Sequence, residues 1–169
     1  MNIVEGDHTP PQFERDDEEF YTARDETGFF GAQGAGCLIM AKTTGRFMVV
    51  ERSQSVEEPG DWGNCGGAHK ASEQPRDAAL RELHEETGYT GSAQMIPLLV
   101  FQKGTFRYSN FLALVEDEFV PQLGWEADAY KWCEYGDWPQ PLHFGLMSLF
   151  ADPASAKALQ HYSNMARGQ

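Results

Sequence analysis

Basic residues are scarce in this chain: 13 Lys and Arg stand against 26 Asp and Glu, a formal charge of −13 over 169 residues. Non-specific binding to nucleic acid or to an anionic membrane depends on basic surface, so both are excluded as main activities. Any action on anionic small molecules would have to rely on metal ions and a few local cations. Cysteine is rare too. Cys37, Cys65 and Cys133 are odd in number and widely separated, which gives no disulfide framework and fits a reducing cytoplasm. Cys65 and His69 could make half of a zinc site, but no second Cys/His pair has ligand spacing. The opening MNIVEGDHTPPQFERDDEEF has neither a basic n-region nor an apolar run, so no signal peptide or membrane span is expected. Internal repeats and low-complexity tracts are lacking. The stretch 28–36 holds four glycines but not the Gly-Lys-Ser/Thr ending of a phosphate loop, and reads as a lead-in to a strand.

What is present fits one domain with a substantial core. Residues 1–27, rich in Asp, Glu and Pro, read as an acidic N-terminal arm, with 13–21 able to cover a sheet edge. Residues 28–169 read as the domain itself. Segments 36–41 and 47–51, joined across Lys42-Thr43-Thr44-Gly45-Arg46, predict a hairpin of buried strands. Segments 95–103 and 106–116, around Gly104-Thr105, predict another. Residues 53–61 form an acidic loop leading to Trp62. Glu116, Asp117 and Glu118 are expected to solvate a strand end. Near the C-terminus, 142–151 predicts an apolar helix with His143 as a capping or packing residue at its start. Asp152-Pro153 then supplies an N-cap and N1 pair for a last helix through Leu159 and Tyr162.

The most informative stretch is 67–89, GAHKASEQPRDAALRELHEETGY. Pro75 suits a first helical turn and Gly88 a left-handed C′ position, so a helix is predicted over 75–87 behind a glycine turn. Ala79, Leu80, Leu83 and Thr87 make its buried stripe, and Glu82, Glu85 and Glu86 project from the other side. Like charges at that spacing cost an isolated helix about 0.2–0.5 kcal/mol each. A hard divalent cation reverses the sign of that interaction, and Mg²⁺ takes oxygen ligands. Arg81, one turn before Glu85, is placed to hydrogen-bond that carboxylate and hold its rotamer. Arg52, at the end of its strand, is a candidate for gripping phosphate.

Gly67, five residues, Glu73, seven residues, then Arg81, Glu82, Leu83, Glu85, Glu86, Gly88 and Tyr89 resemble the signature of the Nudix hydrolases at every fixed position. The approach to it, a strand followed by Arg52, Trp62 and Gly66-Gly67, resembles the family's usual order. Cys65 departs from the proline that many members carry there. The resemblance implies an α/β Nudix fold, a mixed β-sheet sandwiched between α-helices, and a Mg²⁺-dependent pyrophosphohydrolase with Mn²⁺ as a substitute. Implied metal ligands are Glu82, Glu85 and Glu86, the backbone carbonyl of Gly66 or Gly67, and Glu126. Glu126 lies in the loop six residues before Trp132, the kind of place from which members that use a fourth acidic group draw it. Glu82, Glu85 and Glu126 are all candidates for the general base, and Glu73 binds metal or supports the turn. The implied substrate is a nucleoside diphosphate linked to another group, first a nucleoside triphosphate or dinucleoside polyphosphate, then a nucleotide sugar, and third a capped RNA end, against which the acidic balance counts. A non-catalytic nucleotide-binding module is the alternative from another class. Phe29, Phe30, Phe101, Tyr108 and Trp125 are open both as core residues and as platforms for a base. No stable nucleic-acid or membrane partner is expected, and monomer and homodimer are both open.

Overall fold

The computed structural model describes residues 33–169; the acidic arm, the 13–21 segment, and Phe29 and Phe30 lie outside the described residues. A run of small and apolar residues forms the central strand β1 (Gln33–Ala41). Successive side chains of a strand point to opposite faces, and here both faces are buried. Cys37, Ile39 and Ala41 enter one core, Leu38 and Met40 the other. Strand β2 (Phe47–Arg52) pairs antiparallel with β1, Ile39 opposite Met48, which gives the first predicted hairpin. Strands β5 (Gln94–Lys103) and β6 (Phe106–Val115) form the second, closing with Lys103 opposite Phe106. Strand β6 also lies parallel to β1, Leu38 opposite Leu112.

Two short strands were not foreseen. Strand β3 (Trp62–Gly63) pairs with β2, and β4 (Cys65–Ala68) pairs antiparallel with β1, Gly36 opposite Gly66 and Ala35 opposite Gly67. The glycine pair is therefore extended sheet, and the turn into the helix comes later, over residues 69–74. With β7 (Ala127–Cys133) paired to β2, the sheet has the order β3-β2-β1-β6-β5, β4 and β7 lying off that path.

Helix α1 (Pro75–Thr87) has the predicted ends: Pro75 in the first turn and Gly88 left-handed at φ 70°. Its Ala78, Ala79 and Leu83 pack on Cys37, Ile39 and Ala41. Helices α2 (Phe144–Ala151) and α3 (Pro153–Ala166) set Leu146, Leu149 and Leu159 against Leu38, Met40, Phe47 and Val49 on the opposite face. Each fully buried leucine contributes about 1.5–3 kcal/mol. The result is a mixed sheet between helices, as expected. No helix of the described residues is long and apolar enough to cross a membrane.

Glu118 departs from its expected role. It accepts from Arg46 Nε and Nη2 at 2.6 and 2.7 Å and from Thr44 Oγ1 at 2.8 Å, tying the β1–β2 turn to the end of β6. Sequence distance hid this pair, whose members lie 72 residues apart. At the start of α2, His143 is a capping residue: its Nδ1 accepts from the Gly145 N–H at 3.2 Å. Asp152 caps α3 in the same way, accepting from the Ser155 N–H at 3.0 Å.

Burial, and then the nearby Arg52, push the His143 imidazole from 6.5 down to about 3. Between those two values the unfolded chain binds the extra proton and the folded chain does not, so stability falls as pH drops from about 6.5 towards 3. Asn is an equally good N-cap and does not titrate. Unfolding of His143→Asn in urea should therefore match the parent near pH 7 and lose less stability in acid, by on the order of 2–4 kcal/mol at pH 4. Identical acid slopes for the two proteins would remove His143 from the account.

Candidate active site

The site is built where α1 crosses β4. Glu82 lies against the backbone of Gly67 so closely that a Cβ there would stand 2.6 Å from Oε1 and 2.7 Å from Cδ. Gly66 is tighter still against fixed atoms: its Cβ would stand 2.8 Å from Gly36 Cα and 2.9 Å from the Ala35 carbonyl oxygen, besides colliding with the Tyr108 hydroxyl. The backbone atoms cannot swing aside. Gly66→Ala should therefore destabilise the fold by about 1–3 kcal/mol in urea unfolding, the usual cost of overpacking. A change below a few tenths would show that β1 and β4 can part without loss.

Arg81 organises the carboxylates. Its Nε and Nη2 donate to Glu73 Oε1 and Oε2 at 2.8 and 3.0 Å, a bidentate pair. Nη2 also reaches the Ala68 carbonyl at 2.9 Å, and Nη1 donates to Glu82 Oε1 at 2.8 Å and Glu85 Oε2 at 3.0 Å. A single guanidinium thus joins β4, the turn and two residues of α1. Burial works against its charge, but the hydrogen bonds it donates to Glu73 and the charge of Glu82 outweigh that and hold it protonated. Glu73, kept below the usual carboxylate range by Arg81, also accepts from the Lys70 N–H at 2.9 Å. It supports the turn.

Glu82 is 1% exposed, and its Oε2 is buried with no hydrogen-bond partner among the described residues. Burial pushes it to about 7 against the opposing pull of Arg81, with Glu85 and Glu126 adding to the rise. Glu86, half-buried, accepts from the Gly66 N–H at 3.3 Å and from the Cys65 thiol. Burial, then Glu126 and Glu82, raise it well above the carboxylate range. Cys65 thus serves as a donor to Glu86 from within a strand. Tyr108 reaches the same place from β6, its hydroxyl over Gly36 and Gly66, and burial followed by Glu86 and Glu82 raises it well above 10.

The structure therefore brings together Glu82, Glu86, Gly66 and Gly67, with Arg81 and the more exposed Glu85 at one side and Glu126 near enough for its charge to act on Glu82 and Glu86. Arg52 is directed elsewhere: its Nε donates to the Glu57 carbonyl at 2.6 Å, in the loop that also carries Glu58. Tyr108 was one aromatic among several in the sequence, and only the β1–β6 register puts it over the glycines. Ser53, which no spacing pattern marks, is buried and hydrogen-bonded to the loop holding Glu126.

A hard cation suits this donor set. Glu82 keeps one buried oxygen unpartnered, and three mutually repelling carboxylates share a partly desolvated space. Among the described residues no three His, Cys, Asp or Glu side chains close around a common point as they stand, Arg81 drawing Glu82 Oε1 and Glu85 to itself. The residues fit such an ion in the chemistry of their donors.

The NUDIX domain family model matches residues 32–151. No curated protein matches the chain significantly. Among solved structures, a C. elegans Ap4A hydrolase in a binary complex is 22% identical, with a TM-score of 0.57 over 80% of this chain and 99% of its own. The E. coli dihydroneopterin triphosphate pyrophosphohydrolase is 18% identical, with a TM-score of 0.55 over 78% and 94%. A MutT NUDIX hydrolase from Burkholderia pseudomallei is 24% identical, with a TM-score of 0.53 over 76% and 95%. At these identities the likeness is one of fold.

Proposed function

The chain belongs to the Nudix family, hydrolases of phosphoanhydride bonds, and on that premise we propose that it is a Mg²⁺-dependent pyrophosphohydrolase of free nucleotides in the cytoplasm. Its substrate is a nucleoside triphosphate or a dinucleoside polyphosphate. The observation that carries this reading is Glu82, buried against Gly67 with its Oε2 unpartnered, beside Glu86 on the Gly66 N–H, the charge of Glu126 acting on both carboxylates. A solvated acidic helix face would have no buried member.

Glu82, Glu85, Glu86 and Glu126, with a carbonyl of Gly66 or Gly67, would hold the cation. Bound there, Mg²⁺ supplies charge neutralisation for a diphosphate and acidifies a water. The chain's own residues do the rest. Arg81 fixes the carboxylates of Glu82 and Glu85, and Gly67 leaves room for Glu82 against the strand. Water attacks one phosphorus, its proton passes to Glu82, Glu85 or Glu126, and the bridging oxygen leaves with the other phosphoryl group. Kinetics separate those three: at the base, Glu→Gln lowers kcat and leaves Mn²⁺ affinity intact, whereas at a ligand both fall.

The test is product identification by chromatography after incubation with Mg²⁺ and a panel of nucleoside triphosphates, dinucleoside polyphosphates, ADP-ribose, nucleotide sugars and NADH. Cleavage at a diphosphate, lost in Glu85→Gln by about 10²–10⁴-fold, is expected. Nucleotide binding without any turnover in Mg²⁺ or Mn²⁺ would overturn the reading in favour of a binding module.

A further inference from the structure

Ser53 directly follows β2 and is 3% exposed. Its backbone N–H donates to the Glu126 carbonyl at 2.9 Å, and its hydroxyl donates to the Trp125 carbonyl at 2.7 Å. The same hydroxyl accepts from the Ser55 N–H at 3.2 Å, so its acceptor side is engaged and its one proton is committed to Trp125. Two successive carbonyls of a remote loop thus hang on one buried residue.

The loop lies where the sheet ladder loses its regularity. The β2–β7 ladder runs regularly from Phe47 opposite Cys133 to Glu51 opposite Ala129, then slips at Arg52 opposite Ala127. Trp125 is 37% exposed and belongs to neither buried core. Within the loop the Ala127 N–H closes a turn on the Gly124 carbonyl at 3.4 Å, and the next backbone tie to another element upstream is the Gln122 N–H on the Thr87 carbonyl at 2.7 Å. A segment just past the end of a ladder frays unless something pins it.

We propose that Ser53 is a positioning residue: its hydroxyl fixes the backbone at Trp125 and Glu126, and so sets where the Glu126 carboxylate stands against Glu82 and Glu86. This rests on the reading of Glu126 given above as a member of the site.

The test compares the full chain with Ser53→Ala, Ser53→Thr, Glu126→Gln and the Ser53→Ala/Glu126→Gln double variant. Two quantities are read: the affinity for Mn²⁺ alone by calorimetry, and kcat and KM for diadenosine tetraphosphate with Mg²⁺. Glu126→Gln should lower Mn²⁺ affinity, kcat or both by tenfold or more. Ser53→Ala should lower the same quantity about three- to tenfold, the worth of one neutral hydrogen bond. It should add nothing in the Glu126→Gln background, and Ser53→Thr, which keeps the hydroxyl, should restore the parent value. Should Ser53→Ala not fold, Ser53→Cys keeps the volume while giving up most of the donor strength, and takes its place. If Glu126→Gln changes neither quantity, the reading of Glu126 falls and the inference with it. If Glu126→Gln is impaired but Ser53→Ala is not, or if the two effects simply multiply, the inference alone is overturned.

Discussion

Glu82→Gln should lower turnover by about 10²–10⁴-fold while the protein stays folded. Glutamine keeps the length of the side chain and an acceptor oxygen for Arg81 Nη1, so the contact at 2.8 Å survives the change. What disappears is the charge on a carboxylate that is 1% exposed and whose second oxygen is buried without a hydrogen-bond partner among the described residues. The new amide brings a buried donor to that spot, and leaving it unsatisfied costs about 1–3 kcal/mol. Relief of the repulsion from Glu85 and Glu126 works in the other direction. The thermal midpoint should thus move little compared with the activity. Turnover within tenfold of the parent, measured on whichever nucleotide the panel identifies, would remove Glu82 from the chemistry.

Arg81→Met should be the most damaging single change to stability, at about 3–5 kcal/mol in urea unfolding, the cost of breaking a buried ion pair by deleting one partner. The side chains it leaves behind are poorly placed to recover. Glu73 and Glu82 are 14% and 1% exposed, and the Ala68 carbonyl would lose its donor. Activity should fall with stability, because Glu82 and Glu85 lose the group that orients them. Arg81→Lys should not rescue either property: one ammonium cannot reach both oxygens of Glu73 together with Glu82, Glu85 and a carbonyl. A loss below 1 kcal/mol in Arg81→Met would mean that solvent screens the network.

The sequence was most legible where local signals agreed. Pro75, Gly88 and the Ala79, Leu80, Leu83, Thr87 stripe all point to one helix, and its bounds came out as Pro75–Thr87. The strands of the two hairpins were legible from their apolar runs. Strands β3 and β4 were not, since two to four residues rich in glycine carry no alternation, and only pairing with β2 and β1 makes them strands. The same holds within the site. Glu82, Glu85 and Glu86 share a helix and announce themselves by spacing, whereas Tyr108 gains its place from the register of β6 beside β1. Arg52 stands at the strand end where it was expected, but nothing in the sequence shows that its side chain turns to Glu57. Glu118 with Arg46, and Ser53 with Trp125, are pairs of short polar signals separated by 72 residues, which no window along the chain can connect.

The placing of β6 between β1 and β5 bears on how the protein can be made. As the chain emerges from a ribosome, the signature helix and its glycine strand appear long before β6, and among the described residues nothing pairs with that edge of β1 until Val115 has emerged. Strand β2, already paired with β1 and β3, waits longer for the partner on its other edge, until Cys133. A nascent chain halted after α1 therefore displays unpaired edges of an apolar sheet, the kind of surface on which chaperones act and aggregates start. Stalled chains ending near residue 90 should bind trigger-factor-type holdases and be cut readily by protease, and protection should set in only once the β7 segment has cleared the exit tunnel.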